Sequence, residues 1–266
     1  MKPGDVLLSD VQGQIGTLMV NRPEKRNALS PELLAKMHML LQQWAREDTV
    51  RVVVITGGSG KAFSAGYDIS AIPTEINPEL MEMFKHNNPL KLAMDSMASF
   101  PYPTIAMLNG YAYGAGLNLA ICCDMRIAAD DISVAMPPAK LGLVYHPEGI
   151  QQFINVVGMA RTREIFLTGR TMRGLELIDM GLVNRLVPAS QLHATTYALA
   201  QEIAANAPLS LKGTKRIIDM FRQEGVLSES QFREAEVLIN TAFTSHDLAE
   251  GQMAFFEKRK PVFLGR

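Results

Sequence analysis

The segment Asn109-Gly110-Tyr111-Ala112-Tyr113-Gly114-Ala115-Gly116-Leu117-Asn118-Leu119-Ala120 organises the fold of this chain. The residues before it, 104–108, are typical of a β-strand, and the pattern that begins at Leu117 is typical of a helix. The glycines between them permit a sharp turn and a close approach of the backbone to another group. A strand, a small-residue turn and a helix N-terminus together present free backbone N–H groups to a negatively polarised oxygen. A tight turn that only packs against a neighbouring helix is the alternative interpretation.

Composition and charge exclude several classes of protein. The 266-residue chain is 47% hydrophobic and 20% charged, which is typical of a soluble globular protein with a sizeable core. Its net charge of −1 argues against general binding to nucleic acid or to anionic membranes. No apolar run is long enough to span a membrane, and the N-terminus lacks the apolar region of a signal peptide. These features favour a cytoplasmic protein.

The cysteines and histidines argue against a disulfide framework and a metal site. The only cysteines, Cys122 and Cys123, are adjacent, and adjacent cysteines rarely bridge each other. This favours a reducing compartment, with both thiols as small buried side chains. The histidines outside the loop described below are scattered without the spacing of metal ligands: His38, His86, His193 and His246.

Hydrophobic patterning predicts an α/β protein. Strand patterns alternate with helical patterns, of which the first starts at Ser30-Pro31 and the second covers 78–99. The strand patterns lie at 6–8, 15–20, 52–56, 104–108, 125–129 and 133–136. After residue 150 helical patterns dominate, and only 185–187 is strand-like. We therefore predict an α/β core at 1–190 and a helical C-terminal subdomain at 191–266.

Five segments, taken together and in this order, resemble the crotonase superfamily (the enoyl-CoA hydratase/isomerase family). They are NRPEKRNALS at 21–30, FSAGYDI at 63–69, the opening segment, PPAKLGL at 137–143 and EGQMAFFEKRKPVF at 250–263. The resemblance implies a crotonase-type spiral of ββα units with a helical C-terminal trimerisation subdomain. It also implies an acyl-CoA thioester substrate, with coenzyme A as part of the substrate and no tightly bound cofactor. A homotrimer or a dimer of trimers is the implied assembly.

The resemblance implies a chemical role for the glycine turns, and it shows that this chain lacks the two glutamates of the hydratases. It implies that the backbone amides of Tyr67 and Ala115 hold the thioester oxygen, an arrangement that stabilises an enolate. Hydratases of the family use two glutamates to activate water, and Asn118 and Pro138 stand at those two positions. Asparagine can hydrogen-bond but takes up no proton at neutral pH, and a proline side chain does neither. A simple hydratase is therefore not expected.

Decarboxylation is compatible with the absence of both glutamates, because carbon dioxide leaves without a base once the enolate is stabilised. The aromatic Tyr67 after the glycine and Tyr145 in the following loop are similar to features of methylmalonyl-CoA decarboxylases, a branch of the superfamily. His146 and Glu148 are further catalytic candidates in that loop, and a histidine there could shuttle a proton near neutral pH. The alternative for them is a surface loop with a solvated carboxylate.

Other functions remain as alternatives. They are an atypical hydratase or isomerase that uses His146 or Glu148, a thioester hydrolase, and a non-catalytic acyl-CoA-binding protein. RNA binding is disfavoured, because the first helix carries only Lys36 and Arg46 as Lys/Arg cations between Ser30 and Glu47.

The resemblance also implies a set of contacts with coenzyme A. The residues so placed are Arg26, Ala28, Ala65, Asp68, Ile69, Gly114, Phe255 and Lys258. Phe255 and Lys258 match positions that approach the coenzyme A of a neighbouring subunit. The alternative for the charged run 257–260 is a solvated surface.

Overall fold

The computed structural model describes residues 5–58, 60–68, 70, 88–224 and 227–266, with the side chains of 222–224 left out. Two of the residues named above, Ile69 and His86, lie outside the described residues, as does the 78–87 part of the predicted helix at 78–99. Over the described ranges, no helix is long and apolar enough to cross a membrane.

The strands form two sheets. The larger sheet has the order β1-β2-β3-β5-β7-β10, with β1 antiparallel to β2 and every other pair parallel. Its strands are β1 (Leu7–Gln12), β2 (Ile15–Val20), β3 (Val52–Gly57), β5 (Thr104–Leu108), β7 (Met125–Ala129) and β10 (Arg185–Val187). The smaller sheet has the order β4-β6-β8-β9, and its strands are β4 (Ala62–Ser64), β6 (Tyr111–Tyr113), β8 (Ser133–Ala135) and β9 (Thr171–Arg173).

From β3 to β8, consecutive strands alternate between the two sheets, and this alternation makes the spiral. β3, β5 and β7 enter the large sheet, and the strand that follows each of them enters the small sheet. Because β3, β5 and β7 are parallel, the exits from these strands lie at the same edge of the sheet. The predicted α/β class and the spiral of ββα units are confirmed.

Two of the helices begin directly after a polar residue that caps them. α1 starts after the Ser30 side chain, which accepts a hydrogen bond from the Leu33 amide, and α2 starts after the cap Asn88. The helices are α1 (Pro31–Glu47), α2 (Pro89–Ala98), α3 (Ala115–Cys122), α4 (Pro147–Thr168, interrupted at Gly158), α5 (Glu176–Asp179), α6 (Leu192–Ala204), α7 (Pro208–Glu224), α8 (Glu229–Phe243) and α9 (His246–Glu257).

Predictions of local structure were incomplete at several places. β6 (Tyr111–Tyr113) was not predicted, because it lies inside the segment interpreted as a turn and is too short to show a period. β9 was missed, because its three residues expose both ends and are too short to show a period; it is held by antiparallel pairing with β8. β1 continues to Gln12 through exposed side chains, because its ladder with β2 needs backbone groups only.

The helices after residue 190 do not all share one environment. Leu192, Ala200 and Ile203 of α6 belong to the main core, and the Thr17 hydroxyl on β2 lies 2.7 Å from the Tyr197 hydroxyl on α6. α8 and α9 instead expose many apolar side chains. The predicted boundary between 190 and 191 thus precedes a helix that packs on the large sheet, and it stays a prediction.

Candidate active site

The Tyr67 amide lies where the chain leaves β4. Tyr67 pairs with Leu29 in an isolated parallel bridge: the Leu29 amide donates to Gly66 O at 2.8 Å, and the Asp68 amide donates to Leu29 O at 3.0 Å. In such a bridge the peptide groups of the central residue point to the opposite side. The Tyr67 N–H therefore points away from the Leu29 segment, and it donates to no acceptor in the described part of the chain.

The Ala115 amide is the first of helix α3. Gly114 caps this helix with φ +52°, a conformation that favours glycine, and the first helical bond runs from the Asn118 amide to Gly114 O at 3.0 Å. An amide in the first helical turn has no partner within its own helix. All eight residues of α3 are buried, and the Ala115 N–H donates to no acceptor in the described part of the chain.

Gly66 brings these two segments together. A methyl group placed on this glycine would lie 2.8 Å from Tyr113 O and 3.5 Å from Ala115 N, so the β4 exit and the start of α3 are in direct contact. Gly66 also has φ +103°, which other residues rarely adopt. The two N–H groups predicted to hold the thioester oxygen thus lie on neighbouring segments.

Asn118 lies one turn into α3 and carries a hydrogen-bond network. Its side chain is buried: Asn118 Oδ1 accepts from the Tyr145 hydroxyl at 3.0 Å, and Asn118 Nδ2 donates to Gln152 Oε1 at 2.7 Å. The Cys122 thiol donates to the same Gln152 oxygen at 3.1 Å. These groups are neutral, so the position where hydratases carry a glutamate holds no base here.

Tyr145 is held as a neutral phenol. Its ring packs against Phe166 with centroids 5.6 Å apart, and a methyl group on Gly149 would lie only 2.4 Å from its Cε1. Burial, followed by the nearby Cys122, raises the pKa of Tyr145 far above its usual value. The hydroxyl therefore keeps its proton at neutral pH.

Pro138, at the second glutamate position, begins a 3₁₀ turn over Pro138–Leu141 and is buried. Its ring offers no donor or acceptor, and its backbone oxygen accepts from the Leu143 amide at 2.9 Å. The site therefore lacks an acid at this position as well.

His146 and Glu148 lie beside Tyr145 but in the solvent. His146 is the cap residue of α4 and makes no side-chain capping bond, and its ring centroid is 6.5 Å from that of Tyr145. Glu148, in the first turn of α4, has a half-exposed side chain 3.9 Å from Lys91 Nζ. The structure places both on the rim next to the Asn118 network, and their catalytic role stays a prediction.

The residues proposed to touch coenzyme A fall into two groups. The loop 22–28 is tied to the β4 exit: the Ala65 amide donates to Arg26 O at 3.1 Å, and the Arg22 guanidinium donates to Ala28 O at 2.8 Å. Arg26, Ala28 and Ala65 therefore lie together, a short distance from Gly114. Phe255 and Lys258 belong to α9 and its cap, and Phe255 lines a cavity of the C-terminal helices.

Asp68 has a structural partner. Its carboxylate is buried, forms an ion pair with Arg22 at 2.9 Å and accepts from the Ser70 hydroxyl at 2.6 Å. The Ser70 hydroxyl, and then the Arg22 guanidinium, hold the pKa of Asp68 below its usual range. Asp68 thus links the loop 22–28 to the segment that carries the Tyr67 amide.

Sequence reasoning missed Gln152. It lies in the second turn of α4, 34 residues from Asn118, and no local pattern distinguishes it from its neighbour Gln151. No group of three His, Cys, Asp or Glu side chains in the described part of the chain could hold a metal ion.

Known proteins match this chain over nearly its full length. The profile of the enoyl-CoA hydratase/isomerase family matches residues 10–266. A putative enoyl-CoA hydratase from Thermus thermophilus is 35% identical over 254 residues, which cover 95% of this chain and 98% of that protein. A carnitinyl-CoA dehydratase from Escherichia coli is 33% identical over 257 residues, 96% of each chain. The crystal structure of an enoyl-CoA hydratase/carnithine racemase from Magnetospirillum magneticum superimposes with a TM-score of 0.91 at 32% identity, covering 98% of this chain and 96% of that one.

Proposed function

This chain belongs to the enoyl-CoA hydratase/isomerase family, whose members are enzymes that act on acyl-CoA thioesters, and on that premise we propose that it decarboxylates a malonyl-type thioester. In this reaction the bond between the α-carbon and the carboxylate breaks, and its electron pair enters the thioester enolate. Carbon dioxide leaves, and the α-carbon then takes up a proton. The proposal extends the family assignment to a reaction class.

The observation that carries the proposal is the neutral Asn118 network. Hydration requires a group that removes a proton from water, and the side chains in contact with Asn118 are a phenol, an amide and a thiol. Pro138 supplies no acid at the second position. Decarboxylation makes no such demand, because the departing carbon dioxide generates the enolate directly.

The amides of Tyr67 and Ala115 supply the main stabilisation in this proposal. Both are fixed main-chain donors on adjacent segments, and the Ala115 amide also has the positive end of α3 behind it. Removing one such donor typically costs about 2.7–4 kcal/mol of transition-state stabilisation. Tyr145, whose hydroxyl donates to Asn118, is the described residue of this network that we assign to orienting the acyl group, and the α-carbon takes its proton from water.

The test is a panel of acyl-CoA substrates followed by mass spectrometry. We expect purified protein to release carbon dioxide from malonyl-CoA or methylmalonyl-CoA faster than it hydrates crotonyl-CoA. Rapid hydration of crotonyl-CoA without decarboxylation would overturn the proposal.

The names of the relatives support a second candidate, a hydratase. Because Asn118 is no base, we assign the base of this atypical hydratase to the Glu148 carboxylate on the rim. The variant Glu148→Gln separates the two functions. A decarboxylase should keep its turnover within about threefold, since Glu148 is exposed on the rim, whereas a hydratase that depends on this carboxylate should lose about 10²-fold or more.

A further inference from the structure

We propose that Gln152 is a positioning residue for Tyr145: it fixes the side-chain amide of Asn118, and Asn118 fixes the Tyr145 hydroxyl. The inference rests on the proposed function in taking Tyr145 as the group that meets the acyl part of the substrate. Gln152 itself lies behind Asn118 and acts through it.

The first step is that the side-chain oxygen of Gln152 accepts two hydrogen bonds. Gln152 Oε1 accepts from Asn118 Nδ2 at 2.7 Å and from the Cys122 thiol at 3.1 Å. Asn118 and Cys122 lie one turn apart on α3, so their donors reach the same acceptor on α4. The Gln152 oxygen therefore joins the two helices at one point.

The second step is the orientation of Asn118. Because its NH₂ group is bound to Gln152, its oxygen faces Tyr145 and accepts from the hydroxyl at 3.0 Å. Turning the Asn118 amide alone would place its oxygen against the Gln152 oxygen, two acceptors without a hydrogen between them. In a buried site such a contact is costly, so the orientation of one amide is transmitted to the next group.

The third step concerns Tyr145, whose ring position and O–H direction are set by different contacts. The ring is positioned by packing against Phe166 and by the absence of a side chain at Gly149. The direction of the O–H bond is set by Asn118. A change at Gln152 should therefore release the Asn118 side chain and alter the direction of the Tyr145 O–H bond, while the ring stays in place.

The test compares Gln152→Met, which keeps the shape and removes the acceptor, with Gln152→Glu, which keeps an acceptor. We expect Gln152→Met to lower kcat about tenfold or more with KM within about threefold, as for loss of orientation. Gln152→Glu should stay within about threefold of wild type near pH 8. The new carboxyl keeps a carbonyl oxygen that can accept from Asn118 in both protonation states, so we expect this agreement with wild type to hold at lower pH as well.

Gln151→Met is the matched control. Gln151 is the neighbouring residue on the same helix, is exposed, and donates to Asn155 Oδ1 at 2.9 Å. This variant should retain wild-type kcat. In a double-mutant cycle, Gln152→Met should add no further loss to Asn118→Ala, because both act through one contact.

The assays use the thioester that the wild type converts fastest, so a protein that hydrates and does not decarboxylate refutes the proposed function while Gln152 is still tested. Crystal structures of the two Gln152 variants give a readout independent of turnover: the contact between Tyr145 Oη and Asn118 should be lost in Gln152→Met and kept in Gln152→Glu. An intact contact in both variants, or a kcat of Gln152→Met equal to that of Gln151→Met, would overturn the inference.

Discussion

Asn118 limits the chemistry of this site, because its amide can hold a neighbouring group but takes up no proton at neutral pH. Its neighbours Tyr145, Gln152 and Cys122 are neutral as well. A substrate bound at the amides of Tyr67 and Ala115 would therefore meet hydrogen-bonding groups and no base in the described Asn118 network, and the nearby Asp68 carboxylate is paired with Arg22. This favours reactions in which the substrate itself supplies the electron pair.

The variant Tyr145→Phe tests the role of the Tyr145 hydroxyl in turnover. In Tyr145→Phe the ring keeps its packing while Asn118 loses its donor, so we expect kcat to fall about tenfold or more with coenzyme A binding nearly unchanged. Tyr197→Phe is the control, since that hydroxyl contacts Thr17 on the large sheet. Steady-state kinetics and calorimetry with coenzyme A measure the two effects. Equal turnover in both variants would assign Tyr145 a packing role only.

Gly66 tests the oxyanion hole. An alanine there would press its methyl group to 2.8 Å from Tyr113 O in a backbone conformation that favours glycine. We expect Gly66→Ala to displace the Tyr67 amide and to lower kcat about 10²-fold, the usual effect of losing one donor. Gly13→Ala is the control, because φ is +60° there too but the new methyl group meets open space. A similar fall in kcat for both would show that general strain is responsible.

At the scale of elements, the link between the loop 22–28 and the β4 exit supports the site. Arg22 contacts Ala28 and Asp68, and Asn27 Nδ2 donates to Ala62 O at 2.7 Å. The loop is thereby tied to the segment that carries Tyr67. A substitution that breaks these contacts should therefore affect both the stability of the fold and the position of the Tyr67 amide.

Asp68→Asn should lower the free energy of unfolding by about 1.5–3 kcal/mol at pH 7, as expected for a charged hydrogen bond. The folded-state pKa of Asp68 lies below the unfolded value of about 3.9, so its stabilisation is complete above that pH and is lost as the pH falls through the folded-state pKa. The difference from wild type should therefore shrink in acid.

Denaturant unfolding at pH 7 and pH values below about 4 measures this difference. Glu229→Gln is the control, since its ion pair with Arg233 is exposed and should contribute below about 1 kcal/mol. A difference for Asp68→Asn that does not change with pH would refute the electrostatic explanation.

At the scale of the whole molecule, the C-terminal helices expose an apolar surface. Phe243, Phe255 and Phe256 are each more than 70% exposed, and all three line a cavity of about 620 Å³ between α7, α8 and α9. Exposed patches of this kind are typical of interfaces. We infer that this surface would be covered in the trimer that the sequence resemblance implies, and the trimer stays a prediction.

We expect the wild type to have three times, or six times, the mass of the chain in sedimentation experiments, and Phe256→Glu to dissociate it because a charge would be buried in the interface. Met39→Glu is the control, at a residue of α1 that is 69% exposed. A monomeric wild type would contradict the prediction.

How far the sequence alone could predict this molecule depends on the range of each interaction. The capping of α1 by Ser30 is encoded within a few residues and was predicted. The strand, turn and helix around Gly114 were predicted in outline, but the helix begins at Ala115 and not at Leu117, and β6 within the turn was missed. The contact between Gln152 and Asn118 joins residues 34 positions apart, and the β9 pairing joins two three-residue strands. No local period encodes such contacts, so only the folded chain reveals them.

The two proposed donors of the oxyanion hole, the amides of Tyr67 and Ala115, belong to the main chain, and this would determine the result of a mutational scan. Replacing the Tyr67 side chain leaves its N–H in place, and Ala115 is already an alanine. An alanine scan would therefore pass over both donors and report instead the glycines that shape them, Gly66 and Gly114. Replacing a single peptide bond by an ester, which removes the N–H and keeps every side chain, is the change that would make these two positions visible.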